Sequence, residues 1–284
     1  MYHSVVRILI LTSKDHPYAN LLLGTLLRNH VFAGDQVTVF EQDWILPKKG
    51  AVHGLLAYLH TSGFRYVFAQ ALKQYLFRFC RAFAWLFGRR QSPFFPYASL
   101  HNGELSRELF QNLATPGALE RIRALTPDLL LSLYSKEVLP LALLEMPTHG
   151  CVNLHPALLP AYRGVSPTFW CLANGENIAG VTVHTMDAGI DTGMLIAQKD
   201  IATEGCTTEH ALYVRCTLAG AKIVADFLRA LKKGETIPHI PLSAKGKGSY
   251  YSLPTKEAVQ QFRKRGYRFF RVGEFLFPEK FTRL

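Results

Sequence analysis

No stretch of this 284-residue chain runs for about 20 apolar residues without a charge, which excludes a membrane-spanning helix. The nearest approach, residues 64–87, is broken by Arg65, Lys73, Arg78 and Arg81. Cysteine is sparse: Cys80, Cys151, Cys171, Cys206 and Cys216 form neither a paired framework nor a Cys-x-x-Cys metal spacing, so a reducing compartment is expected. Residues 1–12 hold a strand-like run with a single Arg and lack a small-residue cleavage site, so the expected location is cytoplasmic. The Gly-x-Gly-x-x-Gly turn that cradles a dinucleotide pyrophosphate is missing too; Thr12-Ser13-Lys14-Asp15-His16-Pro17 stands where it would fall. Acidic residues number only 21 against 32 Lys and Arg, and the net charge of +11 favours anionic partners such as nucleotides, nucleic acid or an acidic membrane surface. There is no internal repeat or long low-complexity segment.

What is present reads as a globular α/β chain, 49% hydrophobic and 19% charged, long enough for a sizeable core. Residues 5–11 have the continuous apolar pattern of a buried strand, 18–29 read as a helix and 36–40 as a second strand. Helical periodicity marks 104–113 and 118–125, and 129–133 is a central-strand candidate, followed by a helix to Glu145. A short helix at 168–172 stops at Ala173-Asn174-Gly175, 194–201 is a strand, and a long helix fills 207–233. Residues 64–87 form an aromatic, basic helix inside an insertion at about 45–98. Such a helix lies at a membrane interface, lines a substrate groove, or packs on the domain with its Arg heads in solvent. In the tail, residues 250–254 suggest a short strand and 256–265 a basic helix, while Phe269, Phe270, Phe275 and Phe277 suggest an end that docks back.

The informative stretch is 150–193. Cys151-Val152-Asn153-Leu154-His155 ends an apolar run in polar residues that a core strand has no use for, and Asn153 and His155, two apart, share a face. A second run, 180–186, leads into Asp187-Ala188-Gly189-Ile190-Asp191-Thr192-Gly193, a glycine-containing loop with Asp191 at its tip. An amide, an imidazole and a carboxylate that converge would suit acyl transfer. Asn153 would donate to the oxyanion, His155 would move the proton, and Asp191 would orient the ring or relay protons through water.

These residues, with Pro156, Leu158-Leu159-Pro160 and Tyr162-Arg163-Gly164, resemble the folate-dependent formyltransferase family, including the 38 positions between Asn153 and Asp191; Ala157 departs from the Ser or Gly common in relatives. The resemblance implies a Rossmann-like α/β formyltransferase domain with a mostly parallel central sheet over residues 1–234, the helical aromatic insertion, and a short C-terminal accessory region at 235–284. It implies 10-formyltetrahydrofolate as formyl donor, with no metal. Folate contacts would come from Lys136, Glu137, Val138 and Leu139 on one wall, Asp187, Ala188, Gly189 and Ile190 on the other, and Gly164. Without the glycine-rich turn of the glycinamide ribonucleotide enzymes, and with a tail too short for the β-barrel of methionyl-tRNA formyltransferases, the expected acceptor is an amino sugar nucleotide or another small, anionic amine. Initiator methionyl-tRNA is the second choice. A formyltetrahydrofolate hydrolase, a non-catalytic binding module on the same fold, and peripheral membrane contact through 64–87 complete the alternatives. The oligomeric state is left open.

Overall fold

The computed structural model describes residues 5–42, 51–100, 105–110, 113, 115–135 and 137–276. In chain order the elements are β1 (Arg7–Ser13), α1 (Pro17–Arg28), β2 (Gln36–Gln42), α2 (Ala51–Leu86), β3 (Leu105–Phe110), α3 (Pro116–Leu125), β4 (Leu129–Leu133), α4 (Leu141–Leu144), β5 (Cys151–His155), β6 (Arg163–Gly164), α5 (Pro167–Asn174), β7 (Ile178–Thr185), β8 (Leu195–Ala202), α6 (Glu209–Lys232), β9 (Tyr250–Tyr251), α7 (Lys256–Lys264) and α8 (Val272–Leu276). Seven strands form one sheet in the order β3-β2-β1-β4-β5-β7-β8. It is parallel from β3 to β5 and turns antiparallel at β7 and β8.

β1 and β4 are buried on both faces, which explains their unbroken apolar runs. Alternate side chains serve two cores. Ile8, Ile10, Leu131, Val152 and Leu154 join the larger one beneath α1, α5 and α6. Leu9, Leu11, Phe40, Leu130 and Cys151 join a smaller one closed by Ile122 of α3 and Leu143 of α4. Asn153 and His155 alternate with Val152 and Leu154, so they lie on the face of the smaller core. α1 starts with His16 accepting from Ala19 N and with Pro17 in its first turn; α6 starts with Thr208 accepting from Ala211 N.

One expectation fails. Within the stretch 104–113 expected to be a helix, residues 105–110 instead form the edge strand β3, with Val37 to Gln42 of β2 as partners. Leu105, Leu109 and Phe110 mimic a helical period, but only Leu105 is buried, and the ladder to β2 satisfies the backbone instead.

The insertion helix α2 is broken once, at Gly63, whose φ of 78° a residue with a side chain would adopt only at a cost. Beyond that break Tyr66, Lys73, Phe77 and Ala84 are buried against the body. Arg78 and Arg81 turn to Asp15 rather than simply reaching into water. Among the described residues no helix is long and apolar enough to cross a membrane.

The tail docks back as its aromatics suggest. Val259 and Phe262 of α7 enter the larger core, Phe269 stacks on Phe262 at 5.1 Å, and Phe270 and Phe275 join Phe77 and Phe94 in a third cluster. Phe277 lies outside the described residues.

Candidate functional site

β5 and β7 are antiparallel with Asn153 directly opposite His184. The loop after β7 folds back over them, and Gly193 allows this: a Cβ there would sit 1.9 Å from the carbonyl oxygen of Thr185. Asp187 ties the loop together, accepting from Gly189 N at 2.9 Å and Thr192 Oγ1 at 2.6 Å. Asp191, at φ 53°, is thereby carried onto the two strand residues. Aspartate tolerates this left-handed region better than most residues.

The three groups expected to converge do so. Asp191 Oδ1 accepts from Asn153 Nδ2 at 3.3 Å, and Asp191 Oδ2 lies 3.5 Å from His155 Nδ1. Gly164 N donates to Asp191 Oδ2 at 2.9 Å. The remaining geometry fixes the proton positions. His155 Nε2 is 2.8 Å from the carbonyl oxygen of Tyr162, which can only accept, so Nε2 carries hydrogen and Nδ1 is the basic nitrogen. His184 Nδ1 likewise donates to the carbonyl of Thr185 at 2.7 Å, leaving Nε2 to accept from Asn153 Nδ2 at 3.1 Å.

Electrostatics follow from burial and pairing. Burial pushes the pKa of His155 below its ordinary value, against the opposing pull of Asp191. Burial alone would raise Asp191, but the neighbouring imidazoles of His155 and His184 and the Gly164 N–H outweigh it and hold the carboxyl at about 2. Asp191 is therefore a carboxylate, and at His155 burial favours the neutral ring while the Asp191 charge favours the protonated one.

Three features of this arrangement were not anticipated. The first is His184, whose even spacing from Thr182 and Met186 hid it in an apolar strand. The second is the Tyr162 carbonyl, a backbone group with no sequence signature. The third is the tail. Ser249 Oγ accepts from Tyr162 N at 2.9 Å, and β9 pairs with β6, so Ser249 to Tyr251 brace the loop that holds both His155 and Asp191. Gly164 is essential to that brace, because at φ 95° its Cβ would lie 2.3 Å from the Tyr251 carbonyl oxygen. Gly164→Ala is expected to lower the turnover number at least ~10-fold and to destabilise the chain by about 1–3 kcal/mol. Steady-state assay and thermal melting would show both; unchanged turnover would mean the brace does not position the site.

Of the expected folate contacts, Lys136 lies outside the described residues. Glu137 is turned away, accepting from Leu113 N at 3.1 Å and from Gln42; burial raises its carboxyl pKa. Leu139 is buried in the smaller core, against which Met186 packs. Val138 and Ile190, 62% and 44% exposed, present apolar side chains beyond that core; Ala188 and Gly189 are exposed beside Ile190.

A separate cavity of about 400 Å³ opens at the carboxyl ends of β1 and β2, lined by Ser13, Asp15, Glu41, Arg78, Arg81 and Arg107 among others. Only β4 separates β1 from β5, so the two strands are about 10 Å apart.

Residues 92–228 match the sequence model of the family described as formyl transferase. Over those residues, just under half of its length, the chain is similar to that family. A methionyl-tRNA formyltransferase of Trichlorobacter lovleyi is 43% identical over 124 residues, 44% of this chain and 39% of that protein. The chain thus aligns with about two fifths of the length of the curated relatives it matches. Its mixed sheet is the Rossmann-like formyl transferase fold. A sugar N-formyltransferase from a Shewanella species superposes with a TM-score of 0.54 at 17% identity, covering 87% of this chain and 76% of that one. HypX from Aquifex aeolicus, solved with tetrahydrofolic acid, gives 0.54 at 15% identity, covering 90% and 31%.

Proposed function

We propose that this protein moves a formyl group from 10-formyltetrahydrofolate to an amine, with Asn153, His155 and Asp191 as the working residues. The observation that carries this reading is the contact of Asp191 with both Asn153 and His155. The amine nitrogen attacks the formyl carbon, the carbonyl oxygen becomes an oxyanion, and the bond from carbon to the folate nitrogen then breaks. His155 Nδ1 takes the proton leaving the amine and returns it to the departing nitrogen. Asp191 Oδ2, beside that nitrogen, stabilises the ring while it is charged. Both hydrogens of the Asn153 amide are engaged, and the longer bond, 3.3 Å to Asp191, is the one that exchanges most readily for the oxyanion.

Val138 and Ile190 would hold the flat apolar ring of the folate, with Lys136, Glu137, Leu139, Gly164, Asp187, Ala188 and Gly189 contributing mainly backbone groups. The tail, 235–284, is read as an accessory region bracing the site over a catalytic domain of 1–234. An anionic small amine, such as an amino sugar nucleotide, is favoured as acceptor by the neighbouring cavity. Arg78 and Arg81 share the single carboxylate of Asp15 there, and Arg107 pairs with Glu41. Methionyl-tRNA is the second reading, favoured by the name of the 43%-identical relative and by the net charge of +11. A panel of amino sugar nucleotides, simple amines and charged initiator tRNA, with mass detection of formyl gain, separates the two; no formylation of any member would count against transfer itself.

The base must be neutral to accept a proton, and burial lowers its pKa. The acid limb of the kcat/KM profile is accordingly expected below pH ~6.5, the ordinary histidine value. Asp191 opposes the depression, so Asp191→Asn should move any residual limb further down. A limb above pH 7, or an upward move, would contradict this assignment.

A further inference from the structure

Sixty residues, from 44 to 103, contain no Asp or Glu, yet they carry Lys48, Lys49, Arg65, Lys73, Arg78, Arg81, Arg89 and Arg90. Within them the part of α2 beyond Gly63 is apolar on two opposite sides. One side is already used: Tyr66, Lys73, Phe77 and Ala84, spaced by seven, four and seven, are buried against the body. Among the described residues nothing covers the other side. Phe64, Phe68, Tyr75, Phe79, Phe83 and Leu86 follow helical spacing within an arc of about 100°, and each is 41–70% exposed. Their rings lean on one another, at 5.7 Å for Phe64–Phe68, 6.5 Å for Phe79–Phe83 and 4.4 Å for Phe83–Phe87. The stripe is about 33 Å long at the helical rise. At ~200 Å² per aromatic it exposes on the order of 800 Å² with its neighbours, more than monomers ordinarily leave uncovered.

The charges around the stripe decide among occupants. Arg65 and Arg78 border it on either side, Arg89 and Arg90 are exposed just past its end, and the Arg89 guanidinium lies 5.5 Å over the Phe83 ring. Arg78 is already paired with Asp15, but two copies meeting on this face would bring Arg65, Arg89 and Arg90 against their counterparts, with no acidic residue on the helix to offset them. Anionic headgroups offset them directly, while acyl chains take the aromatic side chains.

We propose that α2 is an interfacial helix that lays this protein on a bilayer surface containing anionic phospholipid. The inference is independent of the reaction proposed above. In vesicle co-sedimentation the full chain should bind phosphatidylcholine vesicles containing phosphatidylglycerol at least ~10-fold better than phosphatidylcholine alone, and added salt should weaken binding. The double variant Phe68→Asp with Phe79→Asp changes only exposed positions; it should keep its thermal midpoint and lose binding ~10-fold or more. Tryptophan emission should shift to the blue with the anionic vesicles, and Trp85→Phe, which alters a ring 61% exposed at the end of the stripe, should remove most of that shift. No binding to the anionic vesicles would overturn the proposal. So would equal binding by the double variant, or a lipid-free dimer that the double variant dissolves, which would assign the face to a second copy.

Discussion

Asp191→Asn is expected to reduce kcat for formyl transfer by about 10³- to 10⁴-fold, the scale on which losing the carboxylate partner of a catalytic imidazole acts elsewhere. The substitution keeps the shape of the side chain, and its amide oxygen can still accept from Gly164 N, so the loop should hold. What disappears is the negative charge 3.5 Å from His155 Nδ1, and with it the stabilisation of a ring that has just taken a proton. Asn153→Ala removes a different element, the neutral donor, and should cost on the order of 100-fold or more. The two losses should not add, because Asp191 also holds the Asn153 amide. Rapid-quench measurement of single turnovers checks this; a drop of less than ~10-fold for Asp191→Asn would leave the carboxylate without its assigned part.

The second large effect is on stability. Lys73→Met should destabilise the fold by about 3–5 kcal/mol. Lys73 Nζ and Glu209 Oε2 are 3.4 Å apart, with side chains only 6% and 3% exposed, at the start of α6 beneath α2. Removing the lysine leaves a buried carboxylate that, among the described residues, keeps just the Gln70 amide, at 3.3 Å, as a side-chain hydrogen-bond donor. Adding Glu209→Gln to Lys73→Met should restore much of the loss, because no uncompensated charge then remains. Urea unfolding of the three variants decides it. Equal stability of Lys73→Met and the parent chain would mean that α2 is not anchored through this pair.

Much of this was legible in the sequence because the relevant signals are local. The alternating residues of 151–155 gave the strand, the shared face and the site together, and Thr207 before the apolar period of α6 marked its start to within a residue of the Thr208 cap. Edge strand β3 was misread because an exposed strand has little need of alternation, and a chance helical spacing filled the gap. The outward stripe of α2 was visible as aromatics without its meaning, since one helix face looks like another until the body shows which face it takes. His184 and the Ser249–Tyr251 brace were hidden for a third reason. Both act through contacts between segments distant in the chain, and one end of the contact is often backbone.

The central claim is that three side chains gathered by one loop carry the transfer of a formyl group to an amine. Mass detection of formyl gain on an acceptor, with 10-formyltetrahydrofolate and either the parent chain or its Asn153→Ala, His155→Ala and Asp191→Asn variants, tests it most directly. The account predicts a formylated amine from the parent chain and, from each variant, at most a small fraction of that rate. Equal formylation by all four proteins, or release of free formate with the amine left unmodified, would contradict it.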